Sequence, residues 1–255
     1  MTDTLRTRQL RVEMLIVLGL SLGKSMVYAV LSIIEKLTRD VPLAQQRTSI
    51  NSSATPERPW LDLAYQVVGV ILPLMPVALV LYLMWVHVRP TGGPFLAMGL
   101  DLRRPRFDLA VGFGVFAAIG IAGLAFYFAA RALGINTSIV ASDLAAAWWT
   151  VPILILRAIM NGLLEEVVMV GYLFTRWRQA GGGVVAILII SAVIRGGYHL
   201  YQGFGGFIGN LVMGLLLGWL YLRTRRVMPL VIVHSLLDIA AFVGYALLKP
   251  HIGWL

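Results

Sequence analysis

The stretch LLEEVVMVGYL, residues 163–173, places two adjacent carboxylates, Glu165 and Glu166, inside an apolar run long enough to cross a bilayer. A charged side chain that faces hydrocarbon costs several kcal/mol, so such residues face the interior of a helix bundle or a water-filled cavity. The stretch therefore predicts a membrane protein whose helices enclose a polar interior.

The composition of the 255 residues agrees with this prediction. Hydrophobic residues make up 59% and charged residues 13%, and the mean hydropathy is +0.83, whereas a soluble domain carries about 25% charged residues. The net charge of +9 comes from short clusters at the ends of apolar runs, so nucleic acid is not an expected partner. The absence of cysteine excludes disulfides, thiolate metal ligands and cysteine nucleophiles.

Seven apolar segments are long enough to span a bilayer, at about 20 residues each. The predicted fold class is therefore all-α, a polytopic transmembrane helical bundle with a C-terminal four-helix catalytic core. We divide it into N-terminal helices and loops over 1–147 and a catalytic core over 148–255. The segments lie at 12–36, 62–88, 107–132, 149–175, 183–201, 205–222 and 228–248.

Local signals refine this arrangement. The segment 40–59 has no hydrophobic period and is predicted to be an irregular loop, as is 133–147. Pro73 and Pro76 predict a kink in the second helix. The pairs Gly19/Gly23 and Gly214/Gly218, each in a G-x-x-x-G pattern, predict close helix contacts.

The basic residues indicate orientation. Their clusters fall on one side of the seven-helix arrangement, which predicts a cytoplasmic N-terminus and an outside C-terminus. Short loops and the lack of a targeting signal favour a bacterial plasma membrane. The clusters are Arg6/Arg8/Arg11, Arg89/Arg103/Arg104/Arg106, Arg176/Arg178 and Arg223/Arg225/Arg226.

Ionisable and amide residues within the later apolar runs form three polar stripes. Helical spacing places the residues of each stripe on one face, and bringing the three stripes together would remove all of them from lipid. The stripes are Arg157/Asn161/Glu165, Arg195/His199 and His234/Asp238, with Glu166 and Asn210 beside them.

Two kinds of chemistry suit this set of residues. A glutamate can take a proton from water and return it to a leaving amine, while imidazoles donate to the oxyanion that forms at a carbonyl. Alternatively, Glu165, His199 and His234 could bind Zn²⁺ with water in the fourth position. The spacing of the residues does not decide between these two sites.

The segments EEVVMVGYL, RGGYHLYQG and HSLLD, in this order, resemble the motifs of the CPBP family, which includes the type II CAAX prenyl endopeptidase and bacteriocin-processing relatives. The resemblance covers about residues 148–248. It implies that Glu165 is the general base, with Glu166 as its partner, that His199 lies in the second motif, and that His234 and Asp238 form an oxyanion-stabilising pair. Arg157, Asn161 and Arg195 are expected to support them.

Two positions depart from the family pattern. Val170 stands where the first motif usually has arginine, and Arg195 stands where the second usually has an aromatic residue. Two neighbouring buried carboxylates require a nearby cation to stay ionised together. We therefore expect Arg195 to approach the glutamates from the next helix.

The expected function is that of an intramembrane endopeptidase acting on membrane-associated proteins or peptides, with the lipid bilayer as its surroundings. No cofactor is favoured, because no HExxH helix is present, and zinc is the alternative. A non-proteolytic membrane binding or immunity-type protein remains the second hypothesis. A proton-coupled transporter is the third, against which the lack of inverted repeats argues.

Overall fold

The computed structural model describes residues 2–88 and 92–251, so Arg89 and the C-terminal residues 252–255 lie outside the described residues. Its helices pack into one bundle. They are α1 (Thr2–Leu20), α2 (Leu22–Leu37), α3 (Pro59–Ile71), α4 (Met75–Val88), α5 (Gly93–Met98), α6 (Pro105–Ala132), α7 (Thr150–Glu165), α8 (Leu173–Gln179), α9 (Val184–Tyr198), α10 (Phe204–Thr224) and α11 (Met228–Leu248).

The all-α prediction is confirmed, whereas the count of seven spans is not. Within residues 2–88 and 92–251, four helical stretches are long and apolar enough to span a bilayer, and the bent pair α1 and α2 makes a fifth if it counts as one span. The predicted segments at 149–175 and 183–201 are not among these stretches. The 15 residues of α9 fall short of the about 20 that a spanning helix needs. In the other segment, the 16 residues of α7 are followed directly by a π-helical segment and α8.

The first apolar segment is broken. α1 and α2 meet at Ser21 with a bend of 50°, and the Ser21 hydroxyl donates to the carbonyl of Val17 at 2.6 Å. Glycine and serine together are a common cause of sharp helix bends. A side chain added at Gly19 would meet nothing within 4 Å, so the close helix contact predicted there is wrong.

The second segment changes its winding where Pro73 and Pro76 predicted a kink. A 3₁₀ turn over Leu72–Leu74 contains Pro73 and joins α3 to α4. Proline cannot donate the helical hydrogen bond, which favours a local change of winding.

A two-stranded parallel sheet was not predicted. β1 (Arg47–Ser52) pairs with β2 (Ser138–Asp143), with Arg47 opposite Ser138. The strands therefore join two segments that were predicted to be irregular loops. Both strands carry many serines, so their weak hydrophobic alternation gave no strand signal.

The basic turn between α10 and α11 lies at the opposite end of α11 from this sheet, where Lys249 pairs with Asp143 at 3.6 Å. Arg226, between α10 and α11, donates to Asp108 at 2.7 Å and to Asp101 at 3.1 Å. Gly99 has a φ of +65°, and a side chain there would lie 2.6 Å from the Arg226 backbone. The segment before α6 is thus fixed to the turn before α11.

The C-terminal helices pack closely around the predicted stripes. α7 lies along α11, where a side chain at Gly162 would lie 2.6 Å from the Ser235 hydroxyl. α9 lies along α10, where a side chain at Gly214 would lie 2.9 Å from Ala192, and Gly218 faces Leu188 at 2.6 Å. The close contact predicted for Gly214 and Gly218 is confirmed. α2 and α6 also pack against this group, so the core includes helices from the N-terminal half.

Candidate active site

The two glutamates lie where the helix changes its winding. Glu165 is the last residue of α7, and a π-helical segment runs from Glu166 to Tyr172 before α8 begins. Two backbone carbonyls of this segment accept from side chains. Thr175 donates to the Gly171 carbonyl at 2.7 Å, and Ser191 donates to the Met169 carbonyl at 3.3 Å. Single π-helical turns inside α-helices occur frequently at functional sites.

Glu166 is fully buried and paired. Its Oε1 atom accepts from Arg195 Nη2 at 2.6 Å and from His234 Nδ1 at 2.8 Å. Arg195 has a side chain exposure of 0%, so it brings a positive charge into the interior of the bundle. This contact confirms the expected approach of Arg195 to the glutamates.

Glu165 contacts Tyr198, Arg195 and His234. Its Oε2 atom accepts from the Tyr198 hydroxyl at 2.5 Å. Arg195 Nη1 lies 3.8 Å and His234 Nε2 lies 3.9 Å from the same oxygen. The Glu165 side chain keeps an exposure of 10%, so it remains accessible, whereas Glu166 does not.

His234 and Asp238 lie one turn apart on α11, as their spacing predicted. His234 Nε2 is 4.0 Å from Asp238 Oδ2, and Asn161 on α7 donates to the same oxygen at 2.8 Å. Asn161 therefore orients Asp238 from the neighbouring helix.

His199 follows the end of α9, so it does not share a regular helix with Arg195. Its Nδ1 atom lies 3.0 Å from the Arg195 carbonyl, and its ring stacks on Tyr201 with centroids 6.3 Å apart. The 3₁₀ turn over Leu200–Gln202 comes next. The position of this turn determines where the imidazole points.

Residues of the N-terminal half hold that turn. Lys36, on α2, donates to the Tyr201 carbonyl and to the Thr48 hydroxyl, the latter at 2.9 Å. The Thr137 hydroxyl donates to the Gln202 carbonyl at 2.9 Å. Two consecutive carbonyls beside His199 are thus fixed by α2 and by the residue before β2.

Arg157 does not join the site, although its spacing predicted that it would. Its guanidinium donates to Asn51 on β1 at 3.2 Å and to Gln66 on α3 at 2.6 Å. Arg157 is two turns from Glu165 along α7, about 12 Å at the helical rise. The polar stripe of α7 extends beyond the site, so Arg157 at its far end contacts Asn51 and Gln66 instead of the glutamates.

A cavity of about 710 Å³ adjoins the cluster. His199, His234 and Asp238 form part of its wall, and α6, α10 and α11 supply mostly apolar lining. Ile121 and Leu124 line the cavity and are 75% and 59% exposed, so it opens to the surface along α6. Asn210 also lines the cavity, while its amide donates to the Gly206 carbonyl at 3.0 Å.

Comparison with protein families identifies the part of the chain that holds the cluster. Residues 147–240 match the family described as type II CAAX prenyl endopeptidase Rce1-like. This region is a CPBP-family domain. The predicted resemblance, over residues 148–248, is thereby confirmed for nearly the same stretch. Comparisons with curated proteins and with solved structures gave no significant match.

The donor groups of the CPBP domain suit a metal only in part. Among the described residues, Glu165, Glu166 and His234 offer ligand atoms within 4.8 Å of one another. His199, which we predicted as a ligand with Glu165 and His234, is not in that group. The Arg195 guanidinium lies within the same group, and its positive charge opposes a second cation there. The residues therefore do not fit a zinc site well.

Sequence reasoning missed Tyr198 in the CPBP domain. It stands next to His199 and three residues after Arg195, so helical spacing could have placed it on the same face as Arg195. A tyrosine near an apolar helix end is common, however, and nothing local distinguishes this one. Its contact with Glu165 depends on the packing of α9 against the π-helical segment.

Proposed function

We propose that the protein is an intramembrane endopeptidase that hydrolyses peptide bonds of membrane-associated proteins or peptides with a glutamate-activated water. The observation that carries this proposal is the placement of Glu165. This carboxylate is held by Tyr198, remains partly accessible, and lies 3.9 Å from His234, which lines the cavity.

In the proposed reaction, Glu165 takes a proton from water while the water oxygen bonds to the carbonyl carbon of the substrate. The carbonyl oxygen becomes an oxyanion, to which protonated His234 donates from Nε2. Glu165 then gives its proton to the amide nitrogen as the C–N bond breaks, and a carboxylic acid and an amine leave.

The remaining residues hold these groups in place. Asp238 orients His234 from one turn away, and Asn161 fixes Asp238. Glu166 binds both Arg195 and His234, so it links the cation to the imidazole. His199 faces the cavity and offers a second imidazole near the substrate.

We propose that this reaction needs no metal, with Arg195 supplying the positive charge beside the two carboxylates. The guanidinium has a fixed charge and matches carboxylate geometry. The same contact favours an endopeptidase over a non-proteolytic membrane binding or immunity-type protein. Arg195 supplies the cation that the family pattern usually places at position 170, where this chain has Val170, so the glutamates keep a positive partner.

Glu165→Gln tests the proposal, because it keeps the shape of the side chain but removes its basicity. In detergent, with a fluorogenic peptide library, we expect cleavage to fall by about 10²-fold or more. Glu35→Gln is the matched control, since Glu35 pairs with Arg39 on the surface of α2. Wild-type turnover in Glu165→Gln would reject the mechanism, and loss of activity with a strong chelator would reject its independence of metal.

We also propose that the basic end of the bundle is cytoplasmic, in a bacterial plasma membrane. The basic turn between α10 and α11 lies at one end of α11, and the sheet lies at the other. A reporter active only outside the cell should be inactive when fused after Arg226 and active after Leu255. The opposite result at both fusions would reverse the orientation.

A further inference from the structure

The contacts of Glu165 are unevenly distributed between its two oxygens. The Tyr198 hydroxyl, Arg195 Nη1 and His234 Nε2 have their nearest approach at Oε2, at 2.5, 3.8 and 3.9 Å. Within residues 2–88 and 92–251, no side chain or backbone group forms a hydrogen bond with Oε1. One oxygen is therefore held and the other is free to accept a proton.

The place of Tyr198 at the end of α9 fixes the position of its side chain. Tyr198 is the last residue of α9 and is 5% exposed. Arg195 lies three residues earlier and shares its helix face. The end of α9 thus delivers a cation to Glu166 and a hydroxyl to Glu165, so each carboxylate has its own fixed donor.

A hydrogen bond to an ionised carboxylate restricts its rotation and stabilises the ionised form. A general base needs both effects, because its free oxygen must point at the water and must be unprotonated when the water arrives. Glu166 has the corresponding bonds from Arg195 and His234 but is fully buried, so it cannot serve in this way.

We propose that Tyr198 is a positioning residue for the general base: its hydroxyl holds Oε2 of Glu165, which makes Oε1 the atom that takes the proton from water. This inference rests on the proposed function. Oε1 bonds the proton as the water oxygen bonds to the carbonyl carbon, and the same proton leaves Oε1 for the amide nitrogen. Tyr198 keeps its own proton throughout.

The test compares Tyr198→Phe with Tyr172→Phe in the full chain in detergent. Both substitutions remove the hydroxyl of a buried tyrosine that donates to a glutamate, but the Tyr172 hydroxyl donates to Glu13 on α1, at 2.9 Å. For Tyr198→Phe we expect kcat to fall about tenfold with KM unchanged, the scale of one lost hydrogen bond in the transition state. Tyr172→Phe should change kcat less than about twofold.

The pH dependence of kcat/KM separates positioning from a purely structural role. Without its donor the carboxylate holds a proton more readily, so the acid limb should move to higher pH in Tyr198→Phe alone. The other groups around Glu165, which are Glu166, Arg195, His199, His234 and Asp238, are unchanged in both variants. If Tyr198→Phe does not fold, 3-fluorotyrosine at position 198 keeps the hydroxyl as a stronger donor and should move the limb to lower pH.

Two results would overturn the inference. If Tyr198→Phe and Tyr172→Phe have the same kcat and pH profile, the Tyr198 hydroxyl does not act through Glu165. If Tyr198→Phe loses as much activity as Glu165→Gln with no shift of the acid limb, Tyr198 acts on the reacting atoms directly. A different result would reject the proposed function itself, namely wild-type turnover in Glu165→Gln.

Discussion

Two arginines in this bundle are almost completely buried, and they differ in how their donors are used. Arg176, on α8, has every nitrogen paired: Nε with Glu13 at 2.8 Å, Nη1 with Gln179 at 2.9 Å and Nη2 with the Leu83 carbonyl at 2.9 Å. Arg195 makes one hydrogen bond, from Nη2 to Glu166, and its Nε and Nη1 atoms have no hydrogen-bond partner among the described residues, although Nη1 lies 3.8 Å from Glu165.

The difference indicates what each cluster is for. Buried polar groups are nearly always hydrogen-bonded, so an unpaired donor beside an accessible carboxylate needs a partner from outside the chain, either water or substrate. Glu166 Oε2 is likewise unpaired. The Arg176 guanidinium is fully hydrogen-bonded and joins α1, α4 and α8, whereas the Arg195 cluster keeps buried polar atoms without a hydrogen bond beside the two glutamates.

The largest expected effect separates the two arginines directly. Arg195→Leu and Arg176→Leu should each lower stability by about 3–5 kcal/mol, because each leaves a buried carboxylate without its partner. Only Arg195→Leu should also reduce the activity of the folded fraction, by at least about tenfold, and move its pH optimum upward. Arg195→Lys should recover part of the loss, since lysine lacks the planar fork.

Thermal unfolding in detergent and rate profiles over pH provide the measurements. An unchanged pH profile in Arg195→Leu would make its cluster a structural tie like that of Arg176. If Arg176→Leu showed the same loss of activity and the same shift of pH optimum, the two arginines would not differ in function.

A second substitution sharpens the comparison by returning the cation from another position. Val170 lies in the π-helical segment, four residues after Glu166 and so about one turn from it. Val170→Arg should partly restore activity to Arg195→Leu, with a coupling of about 0.5–3 kcal/mol in a double-mutant cycle. Additive effects at the two positions would show that they do not share the glutamates.

Lys36 tests whether a cation outside the cluster can affect it through the backbone. It is 8% exposed and donates to the Tyr201 carbonyl beside His199. Lys36→Met should reduce kcat about threefold to tenfold, because small displacements of a catalytic group are costly. Lys24→Met, at an exposed position on the same helix, is the control and should have wild-type kcat. Equal rates in the two variants would confine the functional effect to the Arg195 cluster.

The smallest effect is expected at Arg226, another buried cation, whose partner Asp101 lies outside the spanning helices. Burial alone would raise the pKa of Asp101, but hydrogen bonds from Arg226 and from the Arg103 backbone lower that pKa below its ordinary value. The stabilisation is therefore present above the unfolded pKa of about 3.9 and is lost as pH falls through the lower folded value.

Asp101→Asn should remove this dependence on pH. Between pH 6 and pH 3, the unfolding temperature should fall less in Asp101→Asn than in the wild type, by an amount equivalent to no more than about 1 kcal/mol. Asp40→Asn, at an exposed position, is the control and should follow the wild type. If Asp101→Asn also follows the wild type, the Arg226 pair contributes nothing measurable.

Some features of the site could be predicted from the sequence alone. The cost of charge in hydrocarbon determined that Glu165, Glu166, His234 and Asp238 must face inward, and one-turn spacing paired His234 with Asp238. Charge balance was enough to bring Arg195 towards the glutamates. Each of these inferences needs only the solvent around a segment or the period of one helix.

Other features depended on which segments meet, which local pattern does not encode. The two strands pair across 91 residues of chain, and Arg157 finds Gln66 across the same separation instead of joining the glutamates. Tyr198 reaches Glu165 only because α9 packs against the point where α7 becomes π-helical. Sequence thus determined which polar groups must be buried, since the bilayer acts on each residue separately. Tertiary structure decided which of them are paired, because each contact joins side chains that are distant in the chain.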